Sequence, residues 1–83
     1  MAKYIIFSKP TCPFCIKAIE LLEEQGYGYE TINFDESQQQ ILNEIKHAYE
    51  WKTVPMIFKR EKENLVFIGG YSDLVLFLEQ GRI

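Results

Sequence analysis

Two cysteines separated by two residues constrain the fold of this chain more than any other feature. They form the segment Cys12-Pro13-Phe14-Cys15, and the chain contains no other cysteine. An apolar, β-rich stretch precedes the segment and an amphipathic stretch follows it, so the pair is predicted to lie where a strand ends and a helix begins. Backbone N–H groups at a helix N-terminus favour the thiolate, which is the form that attacks disulfides. The segment is therefore typical of a redox dithiol.

The two cysteines are predicted to have different roles. Cys12 is expected to cap the helix and face solvent, with Pro13 at the first helical position. Cys15 lies one turn further on, at helical spacing from the apolar residues Ala18 and Leu22. We therefore expect Cys12 to attack a disulfide and the more buried Cys15 to resolve the mixed disulfide that results.

A cysteine pair at this spacing could instead supply half of a zinc site or form a structural disulfide. A closed zinc site needs four ligands, whereas this chain offers Cys12, Cys15 and a single histidine, His47, which lies in a predicted helix among charged neighbours. A disulfide across two residues closes almost no loop and would stabilise the fold little. The redox dithiol is therefore the stronger interpretation, and no metal is expected.

Length and composition predict one small folded domain over residues 1–83. The chain has 83 residues, of which 47% are hydrophobic, and a net charge of −3. No segment approaches the ~20 apolar residues of a membrane span, and residues 1–7 are too short for a secretory signal. A cytoplasmic protein is expected, in which a Cys-x-x-Cys pair is more often catalytic or metal-binding than structural. The acidic balance argues against a nucleic-acid partner.

The remaining pattern predicts an α/β fold with the element order βαβ-α-ββ-α. Strands are predicted over residues 3–8, 27–34, 56–58 and 65–68. Helices are predicted over residues 13–25 and 71–80, and a further helix is predicted to begin within residues 35–37 and to end at residue 49. The first strand–helix–strand unit implies a parallel, right-handed crossover, and the last two strands imply a hairpin whose tip is the mixed-charge run 59–63.

Helix ends are predicted from residues that commonly cap helices. The second helix is predicted to start with a capping box between Ser37 and Gln40, although Asp35 is a competing cap. Ser72 is the candidate cap of the last helix. Gly26 and Gly81 are expected to end the first and last helices.

Two further segments could build a binding site beside the cysteines. Pro55 follows Thr53-Val54 between β-prone stretches, and from the sequence alone it is an edge or bulge proline with a trans bond. The segment Gly69-Gly70-Tyr71-Ser72-Asp73 precedes the last helix, where free N–H groups could receive a carboxylate and Asp73 could accept from an ammonium. From the sequence alone, an ordinary helix start with Ser72 and Asp73 as cap and dipole partner is the favoured explanation of these residues.

Cations and aromatic rings add candidates of lower specificity. Lys9 and Lys52 could pair with an anion near the cysteines, although most lysines are simply solvated. Phe14, Trp51 and Tyr71 could line a groove, although aromatic residues more often serve in packing.

Residues 8–15, 53–55 and 69–73 together resemble the three signature segments of dithiol glutaredoxins. The motifs read Ser-Lys-Pro-Thr-Cys-Pro-Phe-Cys, Thr-Val-Pro and Gly-Gly-Tyr-Ser-Asp, and their spacing matches over almost the whole chain. The resemblance implies a thioredoxin-like fold with a four-stranded mixed sheet flanked by three helices. It implies a glutathione-dependent oxidoreductase that reduces protein disulfides with both thiols and glutathione mixed disulfides with Cys12 alone.

The same resemblance implies a glutathione site. Cys12 would form the mixed disulfide, Val54 before a cis Pro55 would pair with the cysteinyl backbone of glutathione, and Ser72 with Asp73 would bind its γ-glutamyl end. Lys9 and Lys52 would neutralise the glycyl carboxylate. The predicted glutathione-binding residues are Lys9, Phe14, Lys52, Thr53, Val54, Pro55, Gly70, Tyr71, Ser72 and Asp73.

Three of these residues depart from the pattern common among relatives. Lys52 stands where many relatives carry arginine and so offers a point charge rather than a fork. Phe14 replaces the commoner tyrosine, and Tyr71 stands where many relatives have cysteine. Each departure could alter the affinity for a ligand without altering the class of reaction.

The implied partners are glutathione and proteins that carry disulfides or glutathione adducts, with ribonucleotide reductase as a candidate client by family analogy. A monomer is expected. One alternative is a hydrogen donor reduced by thioredoxin reductase, which the Ser72-Asp73 ligand signal disfavours. Another is a carrier in which two monomers and two glutathiones hold a [2Fe–2S] cluster through Cys12; Pro13 disfavours it, since glycine is usual there.

Overall fold

The structure, a computed structural model, describes residues 3–80 and contains a four-stranded sheet and three α-helices. The elements in chain order are β1 (Tyr4–Ser8), α1 (Pro13–Glu24), β2 (Tyr29–Asn33), a 3-10 turn (Glu36–Gln38), α2 (Gln39–Ala48), β3 (Met56–Glu61), β4 (Asn64–Gly69) and α3 (Tyr71–Glu79). The predicted order βαβ-α-ββ-α is confirmed. No helix within residues 3–80 is both long and apolar enough to span a membrane.

The sheet is mixed, with the strand order β2-β1-β3-β4. β1 pairs in parallel with β2, as the predicted crossover requires, and antiparallel with β3. β3 and β4 form the predicted antiparallel hairpin, with an irregularity at Ile57/Phe58. β1 and β3 are therefore the central strands, and their ends meet at the site described below.

Apolar residues on both faces of the central strands form two core clusters. Tyr4, Ile6 and Ile57 pack against α1 and α3 on one face of the sheet. Ile5 and Phe58 pack against α2 on the other face. Successive residues of a strand point to opposite faces, so a central strand that is covered on both sides reads as a continuous apolar run. This arrangement explains the unbroken apolar pattern of β1.

The end of α1 is set by Gly26, as predicted. Gly26 has φ of 78°, in the left-handed region that suits glycine. Its N–H donates to the Glu23 carbonyl at 3.1 Å, and the Tyr27 N–H donates to the Leu22 carbonyl at 3.0 Å. These two bonds form a Schellman motif, which satisfies carbonyls that the helix leaves free. Gly81, the predicted stop of the last helix, lies outside the described residues.

The predicted capping box between Ser37 and Gln40 is wrong. Asp35 is the cap: its carboxylate accepts the Ser37 N–H at 3.0 Å, while its own N–H donates to the Gln38 side chain at 3.2 Å. The Ser37 hydroxyl also donates to Asp35, at 2.6 Å. The competing carboxylate therefore displaces the serine, because it accepts two hydrogen bonds in the same turn.

Only part of the mixed-charge run 59–63 forms the tip of the hairpin, whereas all of it was predicted to do so. Lys59 is a residue of β3 and is 5% exposed. Its ammonium lies 3.3 Å from the Glu61 carboxylate and 5.6 Å from the centre of the Phe77 ring. The turn itself is formed by Lys62 and Glu63. The apolar stem of Lys59 is thus covered by α3, a contact that charge pattern alone does not indicate.

We expect Leu74→Ala to lower the free energy of unfolding by about 2–5 kcal/mol, because Leu74 is fully buried in the core beneath α3. Urea denaturation followed by circular dichroism measures the change. Leu76→Ala is the matched control on the same helix, since Leu76 is 54% exposed. Equal losses in the two variants would contradict the placement of α3.

Candidate active site

Cys12 lies between β1 and α1 and caps the helix, as predicted. Its backbone is extended, with φ of −106° and ψ of 109°, and Pro13 occupies the first turn. The Cys15 backbone N–H donates to the Cys12 sulfur at 3.2 Å, and the Ile16 N–H donates to the Cys12 carbonyl at 3.2 Å. A sulfur that receives a backbone N–H at a helix N-terminus is placed where negative charge is stabilised.

The Cys12 sulfur also contacts the segment that leads into β3. Its thiol donates to the Val54 carbonyl, with 3.7 Å between sulfur and oxygen. The Val54–Pro55 peptide bond is cis, which agrees with the resemblance rather than with the trans expectation from sequence alone. Two segments that are 42 residues apart in the chain therefore meet at the candidate nucleophile.

Cys15 is more deeply buried than Cys12, and the pKa of its thiol is raised. It is 2% exposed, whereas Cys12 is partly exposed, and both are free thiols. Burial, together with the smaller effect of the hydrogen bond with Cys12, raises the pKa of the Cys15 thiol to about 12, although the Lys9 backbone N–H and the Ser8 hydroxyl oppose the rise. The asymmetry expected from the sequence is present, with the accessible sulfur at the helix tip and the protonated sulfur beneath it.

A cavity of about 390 Å³ opens beside the Cys12 loop. Most of the predicted glutathione-binding residues line it, together with one tryptophan that the prediction did not include. The lining residues are Phe14, Trp51, Thr53, Val54, Pro55, Gly70, Tyr71, Ser72 and Asp73. Three separate segments of the sequence thus converge on one concave surface next to the sulfur.

The two predicted lysines do not line this cavity. Lys9 borders a second cavity of about 310 Å³, with Pro10 and Thr11 on one side and Asp35 and Glu36 on the other. Lys52 is exposed, one residue before the lining residue Thr53. Both ammonium groups sit on long flexible stems, so their proposed contact with a ligand carboxylate stays a prediction.

Aromatic rings form two walls of the cavity. The Phe14 ring, 54% exposed, lies 6.1 Å from the Tyr71 ring at an interplanar angle of 35°. Trp51 packs edge-on against Phe67, with 5.3 Å between ring centres. From the sequence, Trp51 could either line a groove or serve in packing; in the structure it lines the cavity and also packs against Phe67. Trp51 directly precedes the Lys52-Thr53-Val54 segment, and this position in the sequence could have indicated that it lies at the cavity.

The start of α3 is capped by a glycine and an aspartate, so the predicted Ser72 cap is wrong. Gly70 is the N-cap residue, and the Asp73 carboxylate accepts its N–H at 3.0 Å. Ser72 is the second residue of α3 and therefore lies inside the first turn. Asp73 is the third residue, and from that position a carboxylate can reach back to the N–H of the N-cap residue. The first helical bond runs from the Leu74 N–H to Gly70, so the N–H groups of residues 71–73 have no partner within the helix.

Gly69 is held in a conformation that admits no other residue easily. Its φ is 127°, and a Cβ atom there would lie 2.5 Å from an Asp73 carboxylate oxygen and 2.9 Å from the Asp73 Cβ. At Gly70, an added Cβ would lie 3.5 Å from the Trp51 ring. The glycine pair therefore lets the chain pass close to both the cap and the aromatic wall.

Within residues 3–80, no group of three or more His, Cys, Asp or Glu side chains is arranged to hold a metal ion. The site is thus described by two thiols, one carboxylate, backbone polar groups and aromatic rings.

Comparisons with known proteins find relatives across nearly the full chain. A family model described as Glutaredoxin matches residues 4–63. Glutaredoxin-1 of Ectromelia virus (strain Moscow) is 38% identical over 80 residues, which cover 88% of this chain and 68% of the viral protein. The solution structure of a dithiolic glutaredoxin from Trypanosoma brucei brucei is 34% identical, with a TM-score of 0.76, and covers 98% of this chain and 81% of that one.

A more distant solved structure has the same fold. The crystal structure of a buckwheat glutaredoxin–glutathione complex superposes with a TM-score of 0.82 at 23% identity, covering 96% of this chain and 71% of that chain. Together with the sheet topology, these superpositions confirm the predicted thioredoxin-like fold.

We expect Gly69→Ala to destabilise the protein by more than about 2 kcal/mol, because the methyl group meets both a positive φ and the Asp73 side chain. Gly26→Ala is the matched control, since Gly26 also has a positive φ but nothing within 4 Å of an added Cβ. It should lose only about 1 kcal/mol. Thermal and urea unfolding measure both, and a larger loss at Gly26 would refute the proposed packing.

The two thiols should differ in reactivity towards iodoacetamide. Burial is the main reason for the raised pKa of the Cys15 thiol and remains in a Cys12→Ser variant, so the alkylation rate of Cys15 there should rise about tenfold per pH unit between pH 7 and 9, without a plateau. At pH 8, Cys12 in a Cys15→Ser variant should react at least about tenfold faster than Cys15 does. Mass spectrometry of timed samples gives both rates. A plateau for Cys15 below pH 9 would contradict its burial.

Proposed function

Because the chain belongs to the glutaredoxin family, we propose that it is a glutathione-dependent thiol–disulfide oxidoreductase that uses Cys12 as nucleophile and Cys15 as resolving thiol. The family supports an oxidoreductase with a Cys-x-x-Cys motif. The proposal adds the reductant, the substrates and the role of each sulfur. The observation that carries it is the partly exposed Cys12 sulfur at a helix N-terminus, 3.7 Å from a carbonyl of the cavity wall.

The chemistry of the cavity suits a zwitterionic peptide. The unpaired N–H groups at the start of α3 can receive a carboxylate, and the Asp73 carboxylate can accept from an ammonium, so the γ-glutamyl end of glutathione fits there. The Val54 backbone lies beside the Cys12 sulfur, where the cysteinyl residue of glutathione would be when its sulfur is bonded to Cys12. The buckwheat glutaredoxin of the same fold binds glutathione.

The lysines would complete the site. A glycyl carboxylate that extends from the cavity towards solvent would be met by the ammonium of Lys9 or Lys52, which flank the Cys12 loop and the Thr53 segment in the sequence. Exposed ion pairs contribute about 0–1 kcal/mol, so either lysine alone would adjust affinity rather than determine it.

The proposed reaction has two routes, and each begins with an attack by the Cys12 thiolate on a disulfide. The Cys12 thiolate attacks a glutathionylated protein at the glutathione sulfur, a Cys12–glutathione disulfide forms, and the protein thiolate leaves. A second glutathione thiolate then attacks that glutathione sulfur, which restores Cys12 and forms glutathione disulfide. With a protein disulfide, Cys12 bonds to one target sulfur and the other target sulfur leaves as a thiolate. Cys15 then attacks Cys12, which releases the target and forms a Cys12–Cys15 disulfide. Two glutathiones reduce that disulfide and become glutathione disulfide.

The proposed partners follow from this chemistry. They are glutathione and proteins that carry a disulfide or a glutathione adduct, with ribonucleotide reductase as a candidate client. We propose that the protein acts as a monomer in the cytoplasm, where glutathione keeps thiols reduced.

We expect the protein to turn over a glutathione mixed disulfide in the presence of glutathione, glutathione reductase and NADPH. Cys12→Ser should abolish the activity, because it removes the attacking sulfur. Cys15→Ser should keep at least half of it, because that route does not use the second thiol. Loss of NADPH absorbance at 340 nm measures the rate.

Reduction of a protein disulfide by the same variants provides the control. Cys15→Ser should lose most of this second activity, because the mixed disulfide with the target is no longer resolved. If both activities vanished in Cys15→Ser, the division of roles would be wrong. If the folded, reduced parent protein had neither, glutathione would not be its reductant.

A further inference from the structure

The indole nitrogen of Trp51 is an unpaired hydrogen-bond donor in the wall of the active-site cavity. The ring lines the cavity beside the Cys12 loop. Its N–H is shielded from solvent and donates to no acceptor among residues 3–80. Buried polar groups of folded proteins nearly always have a partner, and an indole N–H can only donate. A ligand that enters the cavity can supply the acceptor that the chain does not.

The turn that follows α2 fixes the position of this residue. The Trp51 backbone N–H donates to the Lys46 carbonyl at 2.8 Å. The Glu50 N–H donates to the His47 carbonyl at 3.1 Å, and Glu50 has φ of 52°, in the left-handed region. These features form a Schellman motif, in which Trp51 is the second residue after the helix C-cap. With its ring edge-on against Phe67, the indole stands in the cavity wall before any ligand arrives.

The ring edge that carries this N–H borders the start of α3. A Cβ atom added at Gly70 would lie 3.5 Å from the Trp51 Cζ2 atom. It would also lie 3.8 Å from the Pro55 carbonyl oxygen and 3.9 Å from an Asp73 carboxylate oxygen. Nε1 is separated from Cζ2 by a single ring atom, so the unpaired donor belongs to the same edge of the indole. We call the region where this edge and the two oxygens meet the Gly70 corner.

The polar groups of the Gly70 corner complement a free α-amino-acid group. An ammonium would find two acceptors there, the Pro55 carbonyl and the Asp73 carboxylate. A carboxylate on the same carbon would find the free N–H groups at the start of α3 and the indole N–H of Trp51. The γ-glutamyl end of glutathione carries both charged groups on one carbon. The residues within an ordinary peptide chain carry neither, because both groups are used in peptide bonds.

We propose that Trp51 is a specificity-determining residue, whose ring turns slightly about its Cβ–Cγ bond so that the indole N–H donates to the γ-glutamyl α-carboxylate. The inference rests on the glutathione binding proposed above and adds one residue and one donor to it. A hydrogen bond to a carboxylate is charge-assisted, and it is stronger in a wall from which water is excluded. A ligand without this carboxylate leaves the donor unpaired and therefore binds less tightly.

The test compares two disulfides that differ only in this carboxylate. One is the mixed disulfide of thionitrobenzoate with glutathione, and the other has γ-aminobutyryl-cysteinyl-glycine in place of glutathione. In a Cys15→Ser protein, the Cys12 thiolate attacks the peptide sulfur, a bond forms between these two sulfurs, and thionitrobenzoate leaves as a coloured thiolate. The second-order rate constant at low substrate concentration reports binding and attack together. The assay contains no glutathione reductase, so it does not depend on the proposed turnover.

Trp51→Phe, made in the Cys15→Ser protein, keeps an aromatic ring but has no N–H. We expect its rate constant with the glutathione disulfide to fall about tenfold, the factor expected for one hydrogen bond to a charged group. Its rate constant with the aminobutyryl disulfide should stay within about twofold. A general effect of the substitution on the fold or on Cys12 would slow both reactions equally, so the selective loss measures the contact itself.

Tyr49→Leu is the matched control for lost aromatic packing. The Tyr49 ring lies 5.1 Å from the Phe67 ring, as the Trp51 ring lies 5.3 Å from it, but Tyr49 does not line the cavity. The preference for the glutathione disulfide should therefore be unchanged in Tyr49→Leu. If this variant lost the preference as Trp51→Phe does, the effect would come from packing on Phe67, and the proposal would be overturned.

The indole N–H resonance tests the donor in the unsubstituted, reduced protein by NMR. Unreactive S-methylglutathione should move this resonance downfield, whereas the S-methyl form of the aminobutyryl peptide should not. No such shift, equal slowing of both reactions in Trp51→Phe, or an unchanged preference in that variant would each overturn the proposal. Failure of glutathione-dependent turnover in a protein that retains the preference would instead refute the proposed reductant and leave the role of Trp51 intact.

Discussion

The hydrogen bond from the Cys15 backbone N–H to the Cys12 sulfur joins the folding of this protein to its chemistry. It caps α1, so the helix start and the position of the candidate nucleophile are specified by one contact. The same turn places the Cys15 side chain on the inner face of α1, with Ala18 and Leu22. Helix periodicity alone therefore explains why the Cys12 sulfur is accessible and the Cys15 sulfur is buried.

The sheet supplies the other half of the arrangement. β1 and β3 are adjacent and antiparallel, so the end of one and the beginning of the other lie at the same edge. The Cys12 loop leaves β1 there and the Val54–Pro55 segment enters β3 there, which explains how residues far apart in the chain reach contact distance. The two core clusters hold these strands from both faces, so the site rests on the most buried part of the protein.

Features that depend on neighbours in the chain were predictable from the sequence. The cap at Cys12, the stop at Gly26 and the order of elements all follow from local pattern. The serine caps failed because both helical segments begin earlier than predicted, with Asp35 and Gly70 as their N-cap residues, so Ser37 and Ser72 lie inside the first turn. When two residues a few positions apart could both cap a helix, residue type alone does not show which one does. The outcome depends on which side chain can reach the free N–H groups of the first turn.

Features that depend on tertiary contacts were not predictable from local pattern. The burial of Lys59 requires α3 to lie across β3, and the place of Trp51 in the cavity wall requires the approach of Gly70. Ser8 gave no signal beyond a polar residue at the end of an apolar strand, and the side chain to which it donates, Asn33, comes from β2. The cis bond before Pro55 came from the resemblance, against the ordinary preference for trans.

Trp51 is the only tryptophan in the chain, and it forms part of the cavity wall beside the thiols. The emission of an indole depends on the polarity of its surroundings and on nearby quenching groups. Any molecule that fills the cavity replaces water next to this ring, and its arrival changes the light that the protein emits. The site thus contains its own optical reporter, which requires no label and has no second indole to obscure it.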